Sequence, residues 1–157
     1  MDMLASKDGM TRQRARKSLV VIGKPAVSSL TQTLQNSKVD HVRWEAAKAL
    51  GAIGDARAIP SLVNALEDSD TDVRWLAAEA LRNFKKAAWP ALLRALIKRG
   101  PDSDLLCHGA HHVLRNQKED GFTDLLSTLT AALESDTFQE TTSAAAYDIL
   151  KRMKAKS

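Results

Sequence analysis

A single cysteine, Cys107, leaves no partner for an internal disulfide. Covalent staples are excluded, in keeping with a reducing compartment. Four prolines and seven glycines in 157 residues are too few for a loop-rich or low-complexity chain. Aromatics are scarce at 4%. Alanine and leucine dominate instead, which favours helix. No stretch approaches the roughly 20 apolar residues that cross a bilayer. The N-terminus MDMLASKDGM has no apolar signal core, so a cytoplasmic protein with no membrane partner is expected. Gly-rich phosphate loops and nucleophile motifs are missing, which argues against common catalytic chemistries. No cofactor is called for.

What remains is an ordinary balance of 44% hydrophobic and 27% charged residues, enough for one domain spanning residues 1–157. The net charge of +4 is uneven. Residues 1–54 hold nine Lys/Arg and four Asp/Glu, the rest fourteen and fifteen. Arg12, Arg14, Arg16 and Lys17 form the densest basic run. Such a run attracts nucleic acid or an acidic protein, or is simply a solvated helix face. We favour the solvated face.

The informative feature is internal repetition. Val42-Arg43-Trp44 returns as Val73-Arg74-Trp75, and Leu50 returns as Leu81 at the same step. A fixed period of roughly 30 residues marks a stacked helical array. Residues 41–53 place Val42, Ala46, Ala49, Leu50 and Ile53 on one stripe at about 100° per residue. Asp40 is the expected N-cap, and Gly54 tolerates the left-handed position that ends a helix. A second helix over 58–67 carries Ile59, Leu62, Val63 and Leu66, with Pro60 in its first turn. The same pair returns over 72–84 and 88–99. Weaker copies read at 11–22, 26–35, 104–116, 122–134 and 138–153. In the first of these, Ala15, Leu19 and Ile22 are the expected core. Residues 2–6 are a candidate remnant of a missing partner helix. Stacking of such pairs buries a continuous core that no pair could bury alone.

The unit VRWxAAxAL followed by AIPxLxxAL, or AWPxLxxAL in the second copy, resembles the HEAT repeat, in the short variant associated with phycobilin lyases. The resemblance covers about residues 11–153 and is sharpest at 40–66 and 72–96. It implies an all-α, right-handed α-solenoid of four to five hairpins. It also implies a non-catalytic scaffold for another protein, bound on a concave face lined by the VRW helices. Deoxyhypusine hydroxylase resembles such arrays but binds iron through His-Glu pairs, and no His-Glu dipeptide occurs here. A lyase-like or glycosylase-like enzyme is therefore a lesser alternative. Nucleic-acid binding through the basic N-terminal helix and a ridge of Trp and Arg side chains on the VRW helices is another, since bases stack on aromatics.

With Ala46, Leu50 and Ile53 facing the core, Trp44 points outward and Trp75 shares its column. Aligning Leu114 with Leu81 adds His108. Lys48, Glu79 and His112 form the next column, and Gly51, Arg82 and Arg115 the one after. Trp44, Lys48, Trp75, Glu79, Arg82, His108, His112 and Arg115 are thus the expected partner-binding set. Tryptophan and arginine are enriched at binding hot spots. Trp89 aligns with Val27, Ile59 and Phe122 and is expected in the core. Arg12, Arg43 and Arg74 also recur at the step of the Val-Arg-Trp motif. We read them as a structural ladder bridging carboxylates such as Asp40, Asp70 or Asp72. Cys107, His108, His111 and His112 have helical spacing, but the two pairs point in different directions. With no second cluster to complete a tetrahedral set, no metal is expected. Finally, Val20, Val21 and Ile22 leave the N-terminal end less well capped than the C-terminal end, with its Lys151, Arg152, Lys154 and Lys156. Weak self-association through the N-terminal end follows as an expectation.

Overall fold

The computed structural model describes residues 2–134 and 140–155. Every regular element among them is helical. The chain falls into two compact units, Met1–Phe84 and Lys85–Ser157.

The first unit contains α1 (Gly9–Ile22), α2 (Val27–Asn36), α3 (Asp40–Ile53), α4 (Ile59–Asn64) and α5 (Thr71–Phe84). Helices α1, α3 and α5 lie side by side in one row, with α2 packed on α3 and α4 on α5. The helix starts follow local chemistry. Asp8 caps α1 by accepting from the Met10 and Thr11 N–H groups. Asp40 is already helical, with Val39 at the cap, so it does not act as the expected N-cap. Its carboxylate instead accepts from the adjacent His41 N–H at 2.6 Å. Asp70 caps α5, accepting from Val73 N at 2.9 Å.

The helix ends share one device. Gly23, Gly54 and Lys85 stand one repeat apart, each just beyond a stripe leucine (Leu19, Leu50, Leu81), and all have positive φ. Glycine adopts this conformation at no steric cost, whereas Lys85 at φ 51° carries a strain of about 1 kcal/mol. In α7 (Asp104–Leu114) the turn comes earlier, at Asn116, soon after Leu114.

Residues 2–5 form a 3-10 turn with Leu4 fully buried. Leu4 takes the position of Leu34, Leu66 and Leu96, the buried leucines that close α2, the segment after α4, and α6 (Trp89–Arg99). The turn therefore plays the part of a partner helix for α1, as the residue pattern suggested. Helix α1 has no fully buried residue. Ile22, expected in the core, is 55% exposed, and Val21 is 87% exposed. A stripe can be buried only where a neighbour covers it, and α1 packs a helix of its own row on one side only, against α3.

The second unit contains α6, α7, α8 (Thr123–Leu133) and α9 (Glu140–Ala155). Trp89 is 1% exposed and meets Phe122 edge to face, with centroids 5.7 Å apart. Together with Val27 and Ile59, all four members of the aligned column are buried. Lys86 lies 4.8 Å above the Phe122 ring and pairs with Glu119 at 2.9 Å. Helix α9 packs chiefly on α8 and α6. Its Arg152 donates to Gly121 O and Asp124 Oδ1, both at 2.8 Å. Lys156 and residues 138–139 of the last expected helix lie outside the described residues. No described helix is long and apolar enough to cross a membrane.

Candidate partner-binding faces

The repeated Val-Arg-Trp motif separates into three jobs. Val42 and Val73 are buried. The arginines hold backbone. Arg12 Nη1 donates to Ser6 O at 2.8 Å, Arg43 Nη1 to Ser37 O at 2.9 Å, and Arg74 Nη1 to Asp68 O at 2.7 Å. In each case the acceptor lies just upstream, where the preceding helical segment ends and its carbonyls lack partners. The expected ladder of carboxylates at Asp40, Asp70 and Asp72 is thus corrected. The common partner is a carbonyl, because the positively charged fork suits the negative end of a helix dipole. Arg43 alone adds a bidentate carboxylate, and it is Asp68, with both bonds at 2.8 Å. Both side chains are only 11% exposed.

The tryptophans diverge. Trp44 does not project freely, as its register predicts. Its ring is half-buried, and its indole N–H donates to Asp70 Oδ1 at 2.7 Å. Asp70 N donates in turn to Asp68 Oδ1 at 2.9 Å. Arg43, Trp44, Asp68 and Asp70 thereby fasten α3 to the turn preceding α5. One repeat beyond Asp68 and Asp70 stand Arg99 and Pro101, whose side chains accept no hydrogen bond. Trp75 is 55% exposed. Sequence reading missed Asp68 and named Asp70 only as an arginine partner, because both precede the next motif rather than adjoin their own.

The Val73 N–H, and then the Trp44 indole, hold the Asp70 carboxyl below the usual carboxylate range. A lowered native pKa contributes stability that is present above the ordinary carboxylate pKa and lost as pH falls through the lowered one. Asp70→Asn should therefore show a shallower loss of thermal midpoint on acidification below about pH 4 than wild type. Parallel curves for the two proteins would refute this.

Lys48 is exposed on α3. On α5, Trp75, Glu79 and Arg82 share one face at helical spacing, and Arg82 Nη1 meets Glu79 Oε1 at 2.9 Å. Gly51, aligned with Arg82, is not in an open column. Its Cα faces Ala80 of α5 so closely that a Cβ would lie 2.8 Å from Ala80 Cβ. In the second unit, His108 is exposed and His112 half-buried on α7. Arg115 is exposed but lies past the end of α7 on extended backbone, so it does not continue their helical face. His111, where the first unit has the buried Ala47 and Ala78, reaches Glu134 at 3.3 Å. Cys107 Sγ lies 3.5 Å from Gly100 O. Among the described residues no three His, Cys, Asp or Glu side chains group as a metal site.

The basic N-terminal run is likewise divided. Arg12 grips backbone, and Arg16 Nη1 pairs at 2.8 Å with Glu45, a carboxylate only 9% exposed, between α1 and α3. Arg14 and Lys17 are exposed.

Comparison with known proteins matches HEAT repeats to residues 1–82 and, in an overlapping register, to 27–108. The chain belongs to the HEAT-repeat family. It is also similar to the phycocyanobilin lyase subunit alpha of a Nostoc species, 46% identical over 56 residues. That stretch is 35% of this chain and 20% of the relative. This HEAT-repeat chain therefore spans only a small part of the lyase subunit it resembles. The all-α repeat architecture expected from the recurring Val-Arg-Trp motif, of the α-solenoid class, is the one found.

Proposed function

We propose that this HEAT-repeat chain is a non-catalytic scaffold that binds another protein through the face carrying Trp75. The observation that carries this reading is the contrast between two equivalent indoles, Trp44 tied to Asp70 and Trp75 left 55% exposed. A large apolar ring with one donor, held on a rigid helix, suits a protein partner. Glu79 and Arg82 supply a polar edge beside it, and Lys48 a cation on α3. In the second unit the proposed contacts are His108, His112 and Arg115. Repeats of this family generally mediate protein interaction.

Trp75→Ala should keep its helical circular dichroism and thermal midpoint and weaken capture of the partner from the source cell at least about ten-fold. Trp75→Phe should retain most of it. Unchanged capture by Trp75→Ala sinks the assignment. Nucleic-acid binding is less favoured, because two of the four N-terminal basic residues are engaged within the fold. The similarity to a phycocyanobilin lyase subunit motivates an enzymatic reading as the second choice. A saturable absorbance change on adding phycocyanobilin, abolished by Trp75→Ala, would favour it over the scaffold.

A further inference from the structure

The outer side of α1 carries, one repeat earlier, the positions around Glu45, the residue by which α3 pairs with α1. Arg14, Ala15, Ser18 and Leu19 stand one repeat before Glu45, Ala46, Ala49 and Leu50. In α3 all four are buried, and Glu45 accepts the Arg16 guanidinium. In α1 the same four positions, with Met3 and Leu4, line an open groove of about 210 Å³. Arg14 and Ser18 are exposed and Ala15 and Leu19 half-buried. Exposed apolar side chains continue the strip at both ends. Met10 lies one turn before Arg14, and Ile22 one turn after Ser18, at 57% and 55% exposure.

We propose that this groove receives an amphipathic helix of a partner protein, with a carboxylate set opposite Arg14. The register favours a helix as occupant, because α3 packs against α1 and its equivalent of Arg14, Glu45, takes an arginine of that helix. The charge selects the helix. Where α3 shows Glu45 to an arginine, α1 shows Arg14, so the matching residue must be acidic. Helix α1 contains four basic residues and no acidic one. A second copy docked α1 against α1 would face those cations with their own kind. The described end of α9 offers Lys151, Arg152 and Lys154, which are no better. A hetero-contact is thus proposed in place of the weak self-association expected at the N-terminal end. This surface is separate from the Trp75 face and does not depend on the function proposed for it.

The test uses two fluorescein-labelled helix-forming peptides of equal length, each with leucines at i, i+4, i+7 and i+11. One carries glutamates beside the leucine stripe and the other lysines. By anisotropy, the glutamate peptide should bind the full chain about ten-fold tighter than the lysine peptide. Arg14→Glu should reverse the order. Ser18→Arg, which fills the groove from an exposed position, should remove binding of both, while Lys98→Ala, at an exposed position of α6, should leave both peptide affinities unchanged. Circular dichroism verifies that the variants are folded. Failure of both peptides to bind, equal affinities, or an order unaffected by Arg14→Glu would each overturn the proposal. A wild-type dimer in sedimentation equilibrium that Ser18→Arg dissociates would also overturn it, and would make a second copy the occupant.

Discussion

Arg43→Ala should cost about 3 kcal/mol of stability, the range for removing one partner of a buried pair. For a chain of this size that is a fall of about 10 °C in thermal midpoint. The change removes both bonds to Asp68 and the bond to Ser37 O. It leaves a carboxylate that is only 11% exposed without its cation. The cost should exceed that of an exposed ion pair, which is about 0–1 kcal/mol. Arg43→Lys should recover little, because one ammonium cannot make two parallel bonds and also reach the carbonyl. In a double-mutant cycle, Arg43→Ala and Asp68→Ala together should cost much less than the sum of the single changes. A loss below about 0.5 kcal/mol for Arg43→Ala, within the range of ordinary surface substitutions, would mean the network is decoration.

Gly51→Val should also cost about 3 kcal/mol, through overpacking. Glycine in a helix interior is ordinarily about 1 kcal/mol worse than alanine, so helix propensity alone predicts that Gly51→Ala stabilises. Geometry predicts the reverse. The added methyl would sit 2.8 Å from Ala80 Cβ and 3.3 Å from Ala80 Cα. Ala80 has no flexible side chain to move, so α3 and α5 must part. Gly9 is the control, since its added methyl would meet nothing nearer than the Arg12 guanidinium at 3.6 Å. Gly51→Ala should lower the thermal midpoint and Gly9→Ala should not. Ala80→Gly combined with Gly51→Ala should recover part of the loss. A Gly51→Ala protein more stable than wild type would show that the two helices do not approach this closely.

Both effects arise at contacts that a residue pattern renders poorly. Gly51 occupies the wheel position of Arg82, so the pattern assigns both to an open column. What distinguishes them is the neighbour each meets, and Gly51 meets Ala80. The pattern at 72–84 is legible for the opposite reason. Burial of Val73, Ala77, Ala80 and Leu81 is dictated by a spacing within one helix. Arg115 shows how boundaries mislead, because a helix that stops at Leu114 removes it from the face shared by His108 and His112.

From its residues alone the chain determined the repeating unit, its helices, the buried centres of the stripes beyond α1 and the slot filled by Val27, Ile59, Trp89 and Phe122. These follow from periodicity and propensity, which act over one or two helical turns. Only the tertiary structure decided which of two identical Val-Arg-Trp motifs presents a free indole. It likewise decided which arginine adds a carboxylate to its carbonyl, and which face of α1 stays uncovered. Those outcomes depend on groups brought close from distant parts of the chain, such as Asp68 to Arg43 and Asp70 to Trp44. Local patterning carries no information about partners at that separation.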